Sequence, residues 1–346
     1  MADATMPTTR PVLGPAEHLF QLAFGYVISS ALYVAVKLKI ADHIIRGAAT
    51  TAELARETGV NEDALYRVLR ALASAGVFEE TSARRFGMTP TAELLREDVP
   101  SARDVVLWIS DPFHHRVYAE MMHSAETGKP AAEKVCGVPV FDHFARDREL
   151  SEIFNNAMTT FSAMVIPAVL DVYDFSDVET LVDVAGGHGH VLTAILQKYP
   201  HMRGVLFDLD HVVAGAGPKI AQAGVAERCR TEAGDMFQAV SRGGDAYIMK
   251  HIIHDWDDNR AATILRNIHT ALEGKPHGKV ILLEAVITPG NEPDLAKLVD
   301  VEMLLLPGGR ERTADEFAAL FAHSGFELTR IIPNASPLSV IEARVK

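Results

Sequence analysis

The sequence predicts an α/β protein in which a Rossmann-like, seven-stranded sheet follows an N-terminal, mainly helical domain of winged-helix type. From Glu179 onward, short apolar runs alternate with helical patterns, which is typical of a parallel sheet with crossover helices. A glycine-rich turn over residues 185–189 follows the first strand and opens a helix. The earlier part of the chain has apolar residues at helical spacing instead.

The composition is that of a soluble globular protein. The 346 residues suffice for two domains, and 48% are hydrophobic and 23% charged. We see no signal pattern and no apolar run near the roughly 20 residues of a membrane span, so no membrane partner is expected. Two cysteines cannot form a disulfide framework, which favours the cytoplasm. A net charge of -13 argues against a nucleic-acid partner.

The first helical segment, residues 19–36, is apolar on most faces and almost free of charge. Such a helix must be buried, either in a large core or against another subunit. Because the segment is terminal and has no flanking strands, we favour a subunit interface and a homodimer.

Residues 50–90 have the pattern of a winged helix-turn-helix. Its second helix starts with Asn61, Glu62 and Asp63, which puts two carboxylates where DNA phosphates would lie. We therefore favour a helical packing module over a DNA-binding one.

Seven strands are predicted after residue 179. The last two form a hairpin-like pair and the third is weak; their ranges are 181–184, 204–207, 228–232, 246–249, 280–284, 326–332 and 338–343. Just before them, Phe154, Met158 and Phe161 share one helix face. Both core packing and a pocket for a planar aromatic ligand fit this face.

The glycine-rich turn, Ala185-Gly186-Gly187-His188-Gly189, indicates a bound cofactor, since glycines let a ligand approach the backbone at a helix start. The second strand ends in Asp208, which suits ribose hydroxyls. A dinucleotide site fits up to this point, but Leu192 stands where its third glycine would be.

A second turn, Gly234-Asp235-Met236-Phe237, favours a different cofactor. Asp235 can accept from an adenine amine, and Met236 can pack on the ring. Acids at Asp183, Asp208 and Asp235, with no lysine in the glycine turn, suit a cationic cofactor without phosphate, and S-adenosylmethionine fits.

Reactive side chains follow the strand over residues 246–249, at the edge where open α/β sheets bind ligands. They include Lys250, His254 and Asp255. Glu284 ends a neighbouring strand, and Glu311 precedes a capping box. A neutral histidine, with an ordinary pKa of about 6.5, is suited to take the proton of a phenol.

With these motifs in this order, the chain resembles the S-adenosylmethionine-dependent O-methyltransferases of the plant caffeate/flavonoid type. Bacterial relatives of that family act on quinones, phenazines and other phenols in natural-product pathways. The motifs that carry the resemblance are Phe154–Met158, Val182–Gly189, Gly234–Phe237, His254-Asp255-Trp256 and Gly308–Thr313.

The resemblance implies a role for each catalytic and cofactor-binding residue. The catalytic set is His254 as general base with Glu284 and Glu311 orienting it. The cofactor S-adenosyl-L-methionine is assigned to Asp183, Ala185, Gly186, Gly187, Asp208, Leu209, Asp235, Met236, Phe237 and Lys250. From the residue types rather than from the resemblance, since flat rings and adaptable methionines suit a planar ligand, the aromatic substrate is assigned to Phe154, Met158, Phe161, Asp255, Trp256, Asp300 and Met303.

Two positions depart from the family pattern. Ala185 replaces a glycine, and a backbone contact survives this change if the local φ is negative. His188 stands where the family has a small polar residue, and the sequence does not explain it. No metal is expected, because His251 and His254 lack the spacing of a ligand set with carboxylate partners.

The predicted organisation is a disordered tail and three further segments. These are a helical and winged-helix dimerisation domain, a helical linker with the substrate pocket, and the S-adenosylmethionine-binding methyltransferase domain, over residues 1–15, 16–100, 101–173 and 174–346. The expected reaction is methyl transfer to a phenol, hydroxyquinone or hydroxyphenazine. The alternatives are a DNA-binding regulator that responds to the cofactor, a dehydrogenase, and an enzyme repurposed for decarboxylation or hydroxylation.

Overall fold

The computed structural model describes residues 14–346, so most of the predicted tail lies outside the described residues. Pro15, which we assigned to that tail, instead begins the first helix. The chain forms two compact units, Met1–His115 and Arg116–Lys346. The predicted boundaries at residues 100 and 173 therefore differ from those of the structure.

The first unit is a helical domain with a two-stranded wing. Its elements are α1 (Pro15–Ala23), α2 (Gly25–Lys37), α3 (Ile40–Ile45), α4 (Thr51–Thr58), α5 (Glu62–Ser74), β1 (Phe78–Ser82), β2 (Arg85–Met88), α6 (Pro90–Glu93) and α7 (Arg103–Ile109), and α8 (Pro112–Tyr118) starts in it. Strands β1 and β2 pair antiparallel. At the start of α5, Arg84 from the wing lies 3.0 Å from Asp63 and 3.6 Å from Glu62. The predicted winged-helix architecture is confirmed.

Helix α1 and the start of α2 expose a large apolar surface. Five side chains are between 61% and 65% exposed: Leu19, Phe20, Leu22, Phe24 and Tyr26. Helix α1 has no buried residue, whereas Ala31, Ala35 and Val36 of α2 are buried, so only the second half of the segment over residues 19–36 is buried within its own chain. An apolar surface of this kind marks an interaction site.

The second unit is a mixed sheet between two helix layers. Its elements are α9 (Met121–Thr127), α10 (Ala131–Cys136), α11 (Val140–Arg146), α12 (Arg148–Val172), β3 (Thr180–Val184), α13 (His190–Lys198), β4 (Arg203–Asp208), α14 (Asp210–Val213), α15 (Gly217–Gln222), β5 (Cys229–Ala233), β6 (Ala246–Lys250), a 3₁₀ turn (Ile253–Asp255), α16 (Asp258–Ala271), β7 (Lys279–Glu284), α17 (Leu295–Leu305), α18 (Ala314–His323), β8 (Phe326–Ile332) and β9 (Ser339–Val345). The strand order is β5-β4-β3-β6-β7-β9-β8.

Strands β3 to β7 are parallel, while β9 runs antiparallel between β7 and β8. All seven predicted strands are confirmed, including the weak third one. Alternate strand residues face two separate cores. One contains Leu181, Leu206 and Ile248 with α12 and α13, and the other contains Val182, Val205 and Tyr247 with α16 and α18. Helices thus cover both faces, as a doubly wound sheet requires.

Helix α12 explains why the region before the sheet belongs to the second unit. Its side chains Val165, Ile166 and Val169 are buried in the core that contains β3. This helix has 25 residues and a most apolar window of mean hydropathy 1.4, so it meets the length and composition of a membrane span. The bent pair α1–α2 passes the same test. We did not expect such segments from the sequence, and 28% of the most apolar window of α12 is buried.

Candidate active site

The carboxyl ends of four parallel strands supply the candidate site. Strand β3 leads into the glycine turn, β4 ends at Asp208, β6 ends at Lys250 and β7 ends at Glu284. Since parallel strands all end at one edge, the topology brings these side chains to the crevice where open α/β sheets bind ligands.

The glycine turn is shaped around a buried carboxyl group. Asp183 is buried, and its Oδ2 atom has no hydrogen-bond partner among the described residues. A Cβ atom at Gly186 would lie 2.5 Å from Cγ of Asp183, so only glycine fits there. Burial raises the pKa of Asp183 to about 7, and nearby Asp208 adds to this rise. The carboxyl is therefore poised to ionise when a cation binds.

Ala185 has a backbone conformation that favours glycine. Its φ is +56°, in the left-handed region, so the condition that we set for an unchanged backbone contact, a negative φ, is not met. Its amide still donates to the carbonyl of Phe207 at 2.8 Å, which ties the turn to β4. A Cβ atom in this region costs about 1 kcal/mol, which explains why a glycine would be favoured here.

Leu192 explains why the third dinucleotide-type glycine is absent. This fully buried side chain occupies space left by Gly204 on β4, because a Cβ atom at Gly204 would lie 2.9 Å from a Leu192 methyl carbon. Strand β4 and helix α13 thus pack closely because the strand has a glycine, Gly204, at the contact. In a dinucleotide motif the glycine that allows this contact lies on the helix instead.

Asp208, at the end of the neighbouring strand β4, is hydrogen-bonded to the glycine turn. Its two carboxylate oxygens accept from the amides of Gly187 at 2.8 Å and Leu209 at 2.7 Å. Each oxygen keeps a second lone pair, which can accept from a ribose hydroxyl. Burial raises the pKa of Asp208, while the two amide hydrogen bonds oppose that rise. Its predicted position beside the turn is therefore observed.

The Asp235 turn leads to an aromatic cluster. Asp235 accepts from the amide of Phe237 at 2.9 Å, and the carbonyl of Met236 accepts from Asn267. The Phe237 ring stands edge-on to Trp256, with centroids 4.8 Å apart. The guanidinium of Arg260 lies 4.2 Å from both ring centroids. The predicted cofactor turn and the predicted substrate residue Trp256 thus share one wall.

His251 lies in a stack of rings beside the predicted base. Its ring is 4.9 Å from that of Phe161 on one side and 4.4 Å from that of His254 on the other, with interplanar angles of 17° and 22°. Burial holds the pKa of His251 well below its ordinary value, so this ring is neutral. Lys250 lies 5.5 Å from the centre of the Phe161 ring, and burial lowers its pKa to about 8.

His254 is buried between carboxyl groups. Its Nδ1 atom lies 2.7 Å from Oε1 of Glu311 and 3.7 Å from Oε2 of Glu284, and its Nε2 atom lies 3.5 Å from Oδ1 of Asp255. Oε1 of Glu284 accepts from the amides of Ile252 and Ile253 at 3.0 and 2.9 Å. Glu311 thus faces the ring nitrogen directly, while Glu284 chiefly anchors the turn that carries the ring.

Burial dominates the electrostatics of these carboxyl groups. It raises the pKa of Glu311 to about 8, with a contribution from Asp300, and that of Asp255 to about 7. It also raises the pKa of Glu284, and Glu311 adds to that rise. A carboxylate on Nδ1 stabilises the ring tautomer whose Nε2 is free to accept a proton. The arrangement can therefore act as a general base once Glu311 is ionised.

The structure also assembles a possible ligand set that the sequence spacing did not predict. Ligand atoms of His251, His254 and Glu284 lie within 4.8 Å of one another. The two imidazole rings are stacked nearly parallel, however, so their in-plane lone pairs do not converge on one ion. Nδ1 of His254 is already held by Glu311. This geometry favours ring stacking over metal coordination.

The remaining predicted substrate residues are placed to different degrees. Asp300 accepts from the amide of Glu311 at 2.9 Å, which brings it to the base. Phe154 lies 6.4 Å from Phe141, which in turn lies 6.1 Å from Trp256. The carbonyl of Met303 accepts from the two glycine amides of the following turn, and the side chain of Met158 lies half-buried on α12. Substrate contact by all seven of the predicted substrate residues stays a prediction.

Sequence reasoning missed three residues of the site, namely Phe141, Arg260 and Arg312. Phe141 and Arg260 pack against Trp256, and together with Trp256 and Phe237 they form what we call the aromatic wall. The spacing of Trp256 and Arg260, four residues apart at a helix start, is a signal for the cation–π contact that we did not use. Arg312 lay inside a recognised motif, but nothing in the sequence indicates that its side chain is buried.

The fold and the site define a methyltransferase that uses S-adenosylmethionine. Residues 118–327 match the O-methyltransferase domain family, and residues 20–98 match the O-methyltransferase dimerisation domain. The chain therefore belongs to the O-methyltransferase family, and the dimerisation domain supports a homodimer.

The similar proteins include enzymes of bacterial natural-product pathways. The chain is 44% identical over 326 residues to the phenazine O-methyltransferase PhzM of Lysobacter antibioticus, covering 94% of this chain and 95% of that protein. It is 32% identical over 308 residues to the aclacinomycin 10-hydroxylase RdmB of Streptomyces purpurascens, covering 87% and 82%. The family thus includes a member named for hydroxylation.

Solved structures agree with the fold and the cofactor. The crystal structure of LaPhzM is 43% identical, has a TM-score of 0.88, and is matched over 96% of this chain and 100% of that chain. The O-methyltransferase NcsB1 from neocarzinostatin biosynthesis, in complex with S-adenosylmethionine and 2-hydroxy-5-methyl naphthoic acid, is 29% identical with a TM-score of 0.80, over 97% and 100%. S-adenosyl-L-methionine is the cofactor of this chain, and S-adenosyl-L-homocysteine is its product.

Proposed function

We propose that this enzyme transfers a methyl group from S-adenosylmethionine to a hydroxyl of a small planar aromatic acceptor, with His254 as the general base. The acceptor is of the phenol, hydroxyquinone or hydroxyphenazine type, and the setting is secondary metabolism in the cytoplasm. The observation that carries the proposal is the 2.7 Å contact between Nδ1 of His254 and Glu311, which leaves Nε2 to accept a proton.

In the reaction, the acceptor oxygen displaces the sulfonium sulfur at the methyl carbon. The oxygen–carbon bond forms as the carbon–sulfur bond breaks, the sulfur keeps the electron pair, and the hydroxyl proton goes to Nε2 of His254. Positioning of the two reactants supplies most of the acceleration, and the base adds roughly 100- to 10,000-fold. No step needs a metal, so activity should survive a chelator.

The aromatic wall supports the acceptor class. Phe161 and His251 lie in one ring stack with His254, and Trp256 forms a wall with Phe237. Flat faces of this kind suit a planar ring. Because one relative is named a phenazine O-methyltransferase, we would test hydroxyphenazines first.

The test has two stages. Isothermal titration with S-adenosylmethionine and S-adenosylhomocysteine should show that both bind at micromolar concentration. Incubation with a panel of hydroxyphenazines, hydroxyquinones and phenols should then add one methyl group to an acceptor, as seen by mass spectrometry. Binding without transfer to any acceptor in the panel would overturn the proposal.

Hydroxylation is the second candidate function, because one similar protein is named a hydroxylase. The same mass spectra discriminate, since hydroxylation adds an oxygen atom where methylation adds a CH₂ unit. His254 with its carboxylate partner favours methylation, because proton removal from a hydroxyl is the chemistry that this pair performs.

The homodimer is proposed to form through the apolar surface of α1 and α2. That surface exposes Leu19, Phe20, Leu22, Phe24 and Tyr26 in the single chain. Sedimentation should give a dimer for the wild type, and a Leu19→Asp, Leu22→Asp double variant should dissociate. A monomeric wild type would contradict the proposal.

A further inference from the structure

We propose that Arg312 is a positioning residue that fixes the turn carrying His254 and so sets the distance between His254 and Glu311. The inference rests on the proposed role of His254 as the base. Arg312 is 1% exposed, which is unusual for a charged side chain, and it directly follows Glu311 in the chain.

The guanidinium of Arg312 binds both sides of the His254 turn. Nη1 donates to the carbonyl of Ile253 at 3.1 Å, and Nη2 donates to the carbonyl of Trp256 at 2.9 Å. Nε and Nη2 also donate to Oδ1 of Asp258, at 3.0 and 2.9 Å. These two bonds orient the plane of the guanidinium group, whose forked set of donors is called the Arg312 fork below. The rigid geometry of arginine suits such a set of partners, and lysine cannot reproduce it.

The backbone of Gly309 and Arg310 contacts the same turn. The amide of Arg310 donates to the carbonyl of His254 at 2.8 Å. A Cβ atom at Gly309 would lie 2.0 Å from that carbonyl oxygen, so the two backbones are in direct contact. The turn's own hydrogen bonds are few and long, at 3.2 Å for the amide of Asp255 and 3.3 Å for that of Trp256. Its conformation therefore depends on these outside contacts.

The segment over residues 309–312 consequently positions both members of the His254–Glu311 pair. Residues 309–312 support the turn behind His254, and Glu311 of the same segment lies 2.7 Å from Nδ1 of His254. Loss of the Arg312 fork would free the turn to move against Glu311. In Arg312→Ala, but not in Arg312→Lys, it would also remove a cation that opposes the rise in the Glu311 pKa. Both effects weaken the base, whereas the Arg312 hydrogen bonds go to Ile253, Trp256, Asp258 and Arg310 and not to the cofactor turns.

The test compares Arg312→Lys with Arg228→Lys as a matched control. Arg228 also donates to three carbonyls, those of Leu196, Tyr199 and Met202, but it lies at the start of β5, at the opposite end of the strands from the site. We expect both variants to lose some thermal stability. Only Arg312→Lys should lose kcat, by roughly 10- to 100-fold, with the KM for S-adenosylmethionine within about twofold of the wild type.

Two further variants separate positioning from folding. In Arg312→Ala, millimolar guanidinium should restore part of kcat, while an equal concentration of sodium chloride should not. Asp258→Ala removes the carboxylate that orients the guanidinium of Arg312, at an exposed site, and should give a smaller loss of kcat at unchanged folding. Unchanged kcat in folded Arg312→Lys, or an equal loss in Arg228→Lys, would overturn the inference.

A test by ¹⁵N NMR does not require the methyl acceptor. In ¹⁵N-histidine-labelled enzyme bound to S-adenosylhomocysteine, the His254 signals, assigned by their loss in His254→Ala, should show Nδ1 protonated and Nε2 bare. In Arg312→Lys the two nitrogens should move toward averaged shifts. Unchanged His254 signals would refute the positioning role. Absence of methyl transfer by the wild type would instead refute the proposed function.

Discussion

Oε1 of Glu311 lies 2.7 Å from Nδ1 of His254, whereas the nearest oxygen of Glu284 lies 3.7 Å from the same atom. The two glutamates of the predicted catalytic set therefore differ in their contacts. Glu311 faces the ring nitrogen, and Glu284 uses its other oxygen to accept from the amides of Ile252 and Ile253. The sequence alone left open which glutamate dominates.

Glu311→Gln should lower kcat far more than Glu284→Gln. The first change removes the carboxylate that stabilises the reactive tautomer and the imidazolium, so we expect a loss of roughly 100-fold or more. The second keeps an oxygen that can accept from the two backbone amides, so kcat should stay within about threefold, since that hydrogen-bonding role needs no charge. Steady-state kinetics of both variants checks this, and equal losses would contradict the division of roles.

Affinity for S-adenosylmethionine should rise with pH. Burial raises the pKa of Asp183 to about 7, and the sulfonium cation stabilises its ionised form. Binding below that pH must release a proton, so affinity grows as pH rises toward about 7 and levels off above it. We expect a gain of up to about tenfold from pH 6 to pH 8 by isothermal titration.

Two comparisons sharpen this pH prediction. S-adenosylhomocysteine carries no sulfonium charge, so its affinity should depend less on pH. Asp183→Asn should flatten the profile for S-adenosylmethionine. A steep profile that survives in Asp183→Asn would assign the proton to another group.

Ala185→Gly should stabilise the protein. The φ of +56° is strained for alanine, and glycine relieves that strain at some cost in chain entropy. We expect a gain of up to about 1 kcal/mol, seen as a higher Tm, with cofactor affinity kept. Ala239→Gly is the control, because Ala239 does not have a positive φ, and this change should give no gain in stability. A lower Tm for Ala185→Gly would show that the methyl group makes a compensating contact.

The strand positions and the winged helix could be predicted because apolar periodicity records which faces are buried. The carboxyl-edge rule then placed Asp208, His254 and Glu284 together. The sequence could not show the backbone angle of Ala185, because φ depends on how the turn is tied to β4. It could not show the burial of Arg312 either, since arginine is ordinarily a surface residue.

The most direct test of the account varies the acidity of the acceptor. His254→Ala should bind S-adenosylmethionine like the wild type by isothermal titration. On a phenol of pKa about 10, its transfer rate in a single turnover should fall roughly 100- to 10,000-fold, because the proton has no acceptor. On an aromatic hydroxyl that is already ionised at the assay pH, the loss should be small. An equal loss on both acceptors, or no loss on either, would contradict the assignment of His254 as the base.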